Sequence, residues 1–312
     1  MFCGSLPQGY FWSEIMSGSG IRLRRGERFW LWVFLAPTLF GLLFGSIGPV
    51  LAAIGISFSA WDVITPPKLI GLENYRNLLA DPTFSKALVN TTYYVGVLVP
   101  VSTVFGLLLA LLMNQKLRAI TWYRTAYFLP VVSSTVAVAL VWSWIYSKDF
   151  GLLNYFLRSV GIEPIAWLSS TRWAMPAVIM MGIWGSLGQA MIIFLAGLQS
   201  ISQSYYEAAE VDGANSLQRF IHITLPLITP SLFFYFIITM ISAFQTFEQI
   251  YVMTRGGPVN ATTTVVYYIY RNAFRNFKMG YASSQAIVLF VLIMVLTLIY
   301  WRLQEKWVVY DG

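Results

Sequence analysis

Two sets of residues in this 312-residue chain have the type and spacing to do molecular work. The first lies inside apolar stretches. Thr239, Ser242 and Thr246 recur at i, i+3 and i+7, which puts them on one face of a helix, with Gln245 and Glu248 beside that face. Ser186 and Gln189 recur at i and i+3 in another apolar stretch, just after Trp184. Hydroxyls and amides both donate and accept hydrogen bonds, so the set suits a hydroxyl-rich solute. The indole of Trp184 can stack on such a solute. Polar groups among apolar residues are costly unless they face a bundle interior or a cavity. The competing role is structural: Ser and Thr in such helices bond their own backbone or pack helix against helix. Glu248 has the further option of a structural pair near the outer mouth of a bundle.

The second set is the run Tyr206 to Pro230, YEAAEVDGANSLQRFIHITLPLITP. Gln203 to Val211 is rich in helix formers and predicts a short helix. Asp212-Gly213 is a turn signal that ends it. Asn215 or Ser216 caps a second short helix through Leu217, Phe220 and Ile221. Pro226 suits the first turn of the apolar helix that follows, where its missing N–H is not needed. The expected product is a helix-turn-helix elbow. Ala208 and Ala209 offer little side chain, so another protein can approach closely. Glu207, Glu210 and Asp212 make the elbow acidic.

Other chemistry finds no support. His222 is the only histidine and Cys3 the only cysteine, so neither a metal site nor an intramolecular disulfide is expected. His222 reads as a surface residue of the elbow. No nucleophile stands paired with a base. No Gly-rich loop ends in Lys-Ser or Lys-Thr, so the chain itself is not expected to bind and hydrolyse ATP by that route.

The elements that must position these residues follow from composition. The chain is 57% hydrophobic and 11% charged, too few charges to cover the surface of a soluble protein of this length. A bilayer crossing takes about 20 apolar residues. Six stretches qualify: 30–58, 88–113, 122–146, 174–198, 226–250 and 281–302. The expected architecture is an all-α integral membrane protein, with a tail at 1–28, a six-span domain at 29–306 and a short tail at 307–312. Trp30, Trp32, Trp142, Trp144, Tyr146, Trp173, Trp301 and Trp307 stand near span ends and read as interfacial anchors. The net charge of +7 is carried at the ends of apolar segments, which fits lipid headgroups and no nucleic acid.

An even number of spans puts both termini on one side. The 20 Lys and Arg residues divide equally between the two faces and do not decide which. The densest cluster, Arg22, Arg24, Arg25 and Arg28, flanks the first span and favours cytoplasmic termini. Cys3 follows no apolar run with a small-residue cleavage site, so residues 1–28 read as a cytoplasmic tail. The loop at 59–87 is too small for a domain of its own.

Glu207-Ala208-Ala209, then Gly213, Ile223, Leu225 and Pro226 at their spacings, resembles the EAA loop of ABC importer permeases. Gly71-Leu72-Glu73-Asn74-Tyr75, Arg124 to Pro130 and Gly256-Gly257-Pro258 resemble the first permease subunit of carbohydrate importers of the maltose and glycerol-phosphate type. The likeness runs from about residue 29 to 302. Glu248 is a departure, since Asp is commoner there, but the charge is kept.

The resemblance implies a MetI-like permease fold in the inner membrane, with an EAA loop at 199–225 that couples to ATPase subunits through Glu207, Ala208, Ala209, Asp212, Gly213, Ile223, Leu225 and Pro226. It implies a second permease subunit, two copies of a cytoplasmic ATPase that hold ATP and Mg, and an extracytoplasmic solute-binding protein. It also implies sugar contacts at Ser186, Gln189, Thr239, Ser242 and Thr246. The alternative is a stand-alone secondary transporter or channel, which would usually carry ionisable groups within its spans. Only Glu248 qualifies.

Overall fold

A computed structural model of the chain describes residues 25–115, 118–305 and 308. Cys3, Arg22, Arg24, Lys116, Lys306 and Trp307 lie outside them.

The described residues up to Ala52 and those from Ala53 onward form two compact units. The first contains helix α1 (Arg25–Leu42), a π-helical turn (Leu43–Ile47) and the start of α2 (Gly48–Ser57). Together Phe29–Ser57 is long and apolar enough to cross a membrane.

The second unit carries the remaining spans. Strands β1 (Ser59–Ala60) and β2 (Lys68–Leu69) pair antiparallel, and α3 (Glu73–Ala80) follows. Three long helices meet the requirements of a crossing: α4 (Pro82–Met113), α8 (Ala174–Ser200) and α15 (Met279–Gln304). The second span therefore begins six residues before the expected 88, because Asp81 caps α4 through the N–H groups of Thr83 and Phe84 and Pro82 opens its first turn.

Two expected spans are broken. Residues 122–146 form α5 (Ile120–Val132) and α6 (Thr135–Ile145), bent by 102°. Ser133 and Ser134 adopt extended backbone between them, and Pro130 lies in the last turn of α5. In the fifth span, α11 (Leu225–Leu227) and α12 (Thr229–Phe244) meet at a 58° bend, and a short helix, α13 (Glu248–Met253), follows a break at 245–247. Pro230 takes the first turn of α12; Pro226 opens only the three-residue α11.

Close packing is made by small residues, as expected where lipid removes the usual hydrophobic drive between helices. A Cβ on Gly106 of α4 would lie 2.3 Å from the Ala190 Cβ of α8. One on Gly188 would lie 2.3 Å from the Tyr127 carbonyl of α5, and one on Gly197 would lie 2.2 Å from the Ser231 hydroxyl of α12. The Tyr235 hydroxyl donates across to Ser102 (3.0 Å), joining α12 to α4. Two expected anchors have other roles. Tyr146 is buried, donating to the Ala177 carbonyl and packing on Trp142 and Trp167, and Trp173 packs edge-on to Trp167.

At the other end of α4 the chain is laced by side chains. Helix α7 (Leu152–Ser159) lies between α6 and α8; α14 (Val265–Tyr270) and a π-helical turn (Arg271–Arg275) precede α15. The Asp81 carboxylate accepts from Tyr268 of α14 (2.5 Å) and Tyr281 of α15 (2.7 Å). Lys86 donates to the Val259 carbonyl, Asn90 to those of Asn260 and Thr263, and the Val265 N–H to Thr91. A Cβ at Gly280 would lie 1.8 Å from the Ser59 carbonyl, so α15 starts directly against the hairpin.

Burial pushes the Asp81 carboxyl up, but hydrogen bonds from Tyr268, Tyr281, Thr83 and Phe84 outweigh it and hold it below its ordinary value. A depressed carboxylate stabilises the fold above its unfolded value, about 3.9, and that contribution is lost as pH falls through the lower folded value. Asp81→Asn keeps the shape and removes the charge. It is expected to destabilise the protein by about 1–3 kcal/mol at neutral pH, read as a lower unfolding midpoint in detergent. The gap from wild type should close as pH falls through the lowered folded value; a gap that is constant with pH would show that the charge is not what matters.

Candidate functional site

Two sites emerge, one inside the bundle and one on the connection between α8 and α12. The first is a cavity of about 450 Å³ walled by α4, α8, α12 and the break before α13. Seven of the eight expected pathway residues line it: Ser186, Gln189, Thr239, Ser242, Gln245, Thr246 and Glu248. Trp184 does not. It packs edge-on against Trp142, with ring centroids 5.6 Å apart, and is not among the lining residues.

The geometry differs from one helical stripe. Helix α12 ends at Phe244, so Thr239 and Ser242 sit on helix while Thr246 reaches the cavity from the break. No glycine or proline marks that break, and spacing alone could not reveal it. Thr239 and Thr246 are 7% and 5% exposed, and the Thr246 hydroxyl has no hydrogen-bond partner among the described residues. Ser242, Gln189, Gln245 and Glu248 are exposed. The Ser186 hydroxyl donates to the Ile183 carbonyl (2.8 Å), the structural role expected of such a serine, and its lone pairs stay available to a donor.

Sequence reasoning missed Tyr94, Thr135, Phe247 and Gln249, which also line the cavity. Gln249 donates to the buried Tyr94 hydroxyl (2.9 Å), tying α13 to α4. Gly182 lets this happen: a Cβ there would lie 2.5 Å from the Tyr94 hydroxyl. Tyr94 stands in an apolar run beside Tyr93, so nothing distinguishes it in the sequence.

The second site is the elbow. Helix α9 (Gln203–Val211) has the expected bounds, capped by Ser202. It ends in a Schellman arrangement: the Ala214 N–H reaches the Ala209 carbonyl (2.9 Å) and the Gly213 N–H that of Glu210 (3.1 Å). Gly213 has φ +77°, which a side chain disfavours. Helix α10 (Ser216–Arg219) opens with a capping box between Asn215 and Gln218, and a π-helical turn (Phe220–Thr224) leads into α11.

Glu207, Ala208 and Asp212 are exposed, Ala209, Ile223 and Pro226 half-buried, and Leu225 exposed. Glu210 lies 3.8 Å from Arg219. His222 is exposed, its Nδ1 bonded to the Gln218 carbonyl. Val211 and Leu217 are 88% and 66% exposed, so the elbow shows apolar side chains as well as acidic ones. Among the described residues no cluster of three metal-ligating side chains occurs.

An all-α chain with several membrane-crossing helices, an internal polar cavity and a capped elbow has the architecture of a transporter subunit. The family model of the binding-protein-dependent transport system inner membrane component matches residues 102–309, and the chain belongs to that family. It is 38% identical to the probable ABC transporter permease protein YesP of Bacillus subtilis, over 90% of this chain and 92% of the relative. It is 36% identical to the sulfoquinovosyl glycerol transport system permease protein SmoG of Agrobacterium fabrum, over 89% and 91%.

Among solved structures it resembles a bacterial ABC transporter that imports the acidic polysaccharide alginate. The TM-score is 0.79 at 26% identity, covering 89% of this chain and 96% of that one. The chain is thus an ABC importer permease with the expected membrane fold, and a stand-alone transporter or channel is set aside.

Proposed function

We propose that this chain forms half of the translocation pathway of an ATP-driven carbohydrate importer. The observation that carries the reading is the cavity itself, in which hydroxyls and amides from separate elements converge inside an otherwise apolar bundle. Relatives named for sulfoquinovosyl glycerol, lactose and multiple sugars support the cargo class. A second permease subunit supplies the facing wall. Two copies of a cytoplasmic ATPase bind ATP and Mg, and this chain hydrolyses none; its elbow docks on them. An extracytoplasmic solute-binding protein delivers cargo. The test is calorimetric binding of a sugar panel to that protein, followed by uptake of the best ligand in cells with and without this chain. A binding protein that takes amino acids or metal ions and no sugar would overturn the cargo class.

On this reading the elbow faces ATP and six spans put both termini in the cytoplasm. Cys3 is the only thiol in the chain, so a membrane-impermeant maleimide should label it only after cells are permeabilised. Rapid labelling in intact cells would invert the topology.

A further inference from the structure

Helix α7 packs one face and leaves the other bare. Leu153, Asn154 and Leu157 turn inward, while Leu152, Tyr155 and Phe156 stand on the exposed side at i, i+3 and i+4. The direction of that side is fixed by Asn154, whose side chain is buried. It donates to the carbonyls of Ser147, Lys148 and Ile165 and accepts from the Ile165 N–H and the Trp167 indole. These bonds staple α7 to the stretch that leads into α8, at the end of α8 opposite the elbow. Phe150, Val160 and Ile162 extend the bare side beyond both ends of the helix. The six apolar side chains are 44–82% exposed, and none of them lines the cavity.

We infer that α7 lies in the bilayer surface opposite the elbow, with its apolar side among lipid acyl chains and its basic rim on phospholipid headgroups. Depth follows from length. Helix α8 has 27 residues and is about 40 Å long. The hydrocarbon core is about 30 Å thick, and about 40–45 Å with its headgroups. The start of α8 therefore stands at headgroup level, and so does the helix stapled beside it. A short helix with one apolar side and a basic rim, held at that depth, is the pattern of an interfacial helix. Lys148, Arg158 and Arg172 form the rim; all are exposed and none is in an ion pair among the described residues. The Arg158 guanidinium is steadied by the Lys148 and Asp149 carbonyls (3.3 Å each), and that of Arg172 lies 5.7 Å from the Trp173 ring centre. Guanidinium groups suit phosphate oxygens.

Other occupants fit less well. A solute-binding protein would leave the patch in water between encounters, and an apolar patch of this size in water invites aggregation. On the proposed function the second permease faces the cavity, which these side chains do not line. Lipid covers them at all times.

The experiment uses the assembled importer in nanodiscs of phosphatidylethanolamine and phosphatidylglycerol, with partner subunits made cysteine-free. Cys3 is replaced by Ser, and a single cysteine carrying an environment-sensitive fluorophore is placed in turn at Tyr155, Phe156 and Glu163. All three positions are exposed, so the fold tolerates the label. Quenching is measured with lipid brominated on its acyl chains and, separately, with aqueous iodide. The ratio of lipid to iodide quenching should be at least about threefold higher at 155 and 156 than at 163. Lys148→Gln combined with Arg172→Gln leaves the carbonyl bonds of Arg158 intact and should lower the ratio at 156 about twofold.

A similar ratio at all three positions overturns the inference. So does iodide quenching at 155 and 156 that disappears when binding protein is added, since that marks a protein-docking face. Labels at 155 and 156 that neither quencher reaches would place the second permease over α7 and overturn it too. A ratio unmoved by the paired Gln substitutions would refute the headgroup contacts.

Discussion

Ser242→Trp is expected to abolish uptake per assembled importer. Ser242 is exposed to the cavity from the last turn of α12, and a buried indole adds well over 100 Å² of contacting surface to a space of about 450 Å³. Ser242→Ala removes one hydroxyl and leaves the space. A net hydrogen bond contributes about 0.5–1.5 kcal/mol, so uptake should fall only several-fold. The comparison is made per complex, by quantifying purified importer, with stimulated ATPase measured alongside. If α12 used this face to pack on another helix, Ser242→Trp would lower the amount of complex instead. Unchanged uptake per complex for both Ser242→Trp and Thr246→Trp would remove this face from the pathway.

Gly213→Val is expected to uncouple the importer, with uptake reduced at least tenfold while the complex still assembles. At φ +77° a β-branched residue is strained by about 1–3 kcal/mol. The turn relaxes by giving up the Schellman bonds to Ala209 and Glu210, and α9 then no longer meets α10 at a fixed angle. A Cβ at Gly213 meets nothing within 4 Å, so the damage comes from backbone geometry and not from a clash inside the chain. Asn tolerates left-handed backbone, so Gly213→Asn should retain most uptake. Equal loss in the Val and Asn variants would point to contact at that surface, and normal uptake with Val would refute a rigid coupling turn.

The elbow was legible in the sequence because its determinants are local. Ser202, Gly213, Asn215 and Gln218 act within a few residues of themselves, and each does what its type prescribes. The spans were legible as apolar runs, but their breaks were not. Ser133 and Ser134 are unremarkable inside 122–146, and the stop of α12 at Phe244 follows from tertiary contacts, such as Thr264 donating to the Thr246 carbonyl. The same limit applies to the cavity. Its hydroxyl and amide residues could be found by periodicity, whereas Tyr94 and Gln249 are brought together across 155 positions of sequence by the packing at Gly182. Trp184 has the right chemistry, but it packs edge-on to Trp142 and stands outside the lining.

The lacing around Asp81 has a kinematic consequence. One carboxylate ties the start of α4 to α14 and α15, the bonds from Lys86, Asn90 and Thr91 fasten α4 to the 259–265 stretch, and close contacts at Gly106 and Gly197 lock α4, α8 and α12 together. These elements share few internal degrees of freedom. A cavity walled by them cannot change the side it faces by parting its own helices without breaking several buried contacts at once. On the function proposed above, the inexpensive motion is a rotation of the whole set as one rigid body against the second permease subunit, driven through the elbow.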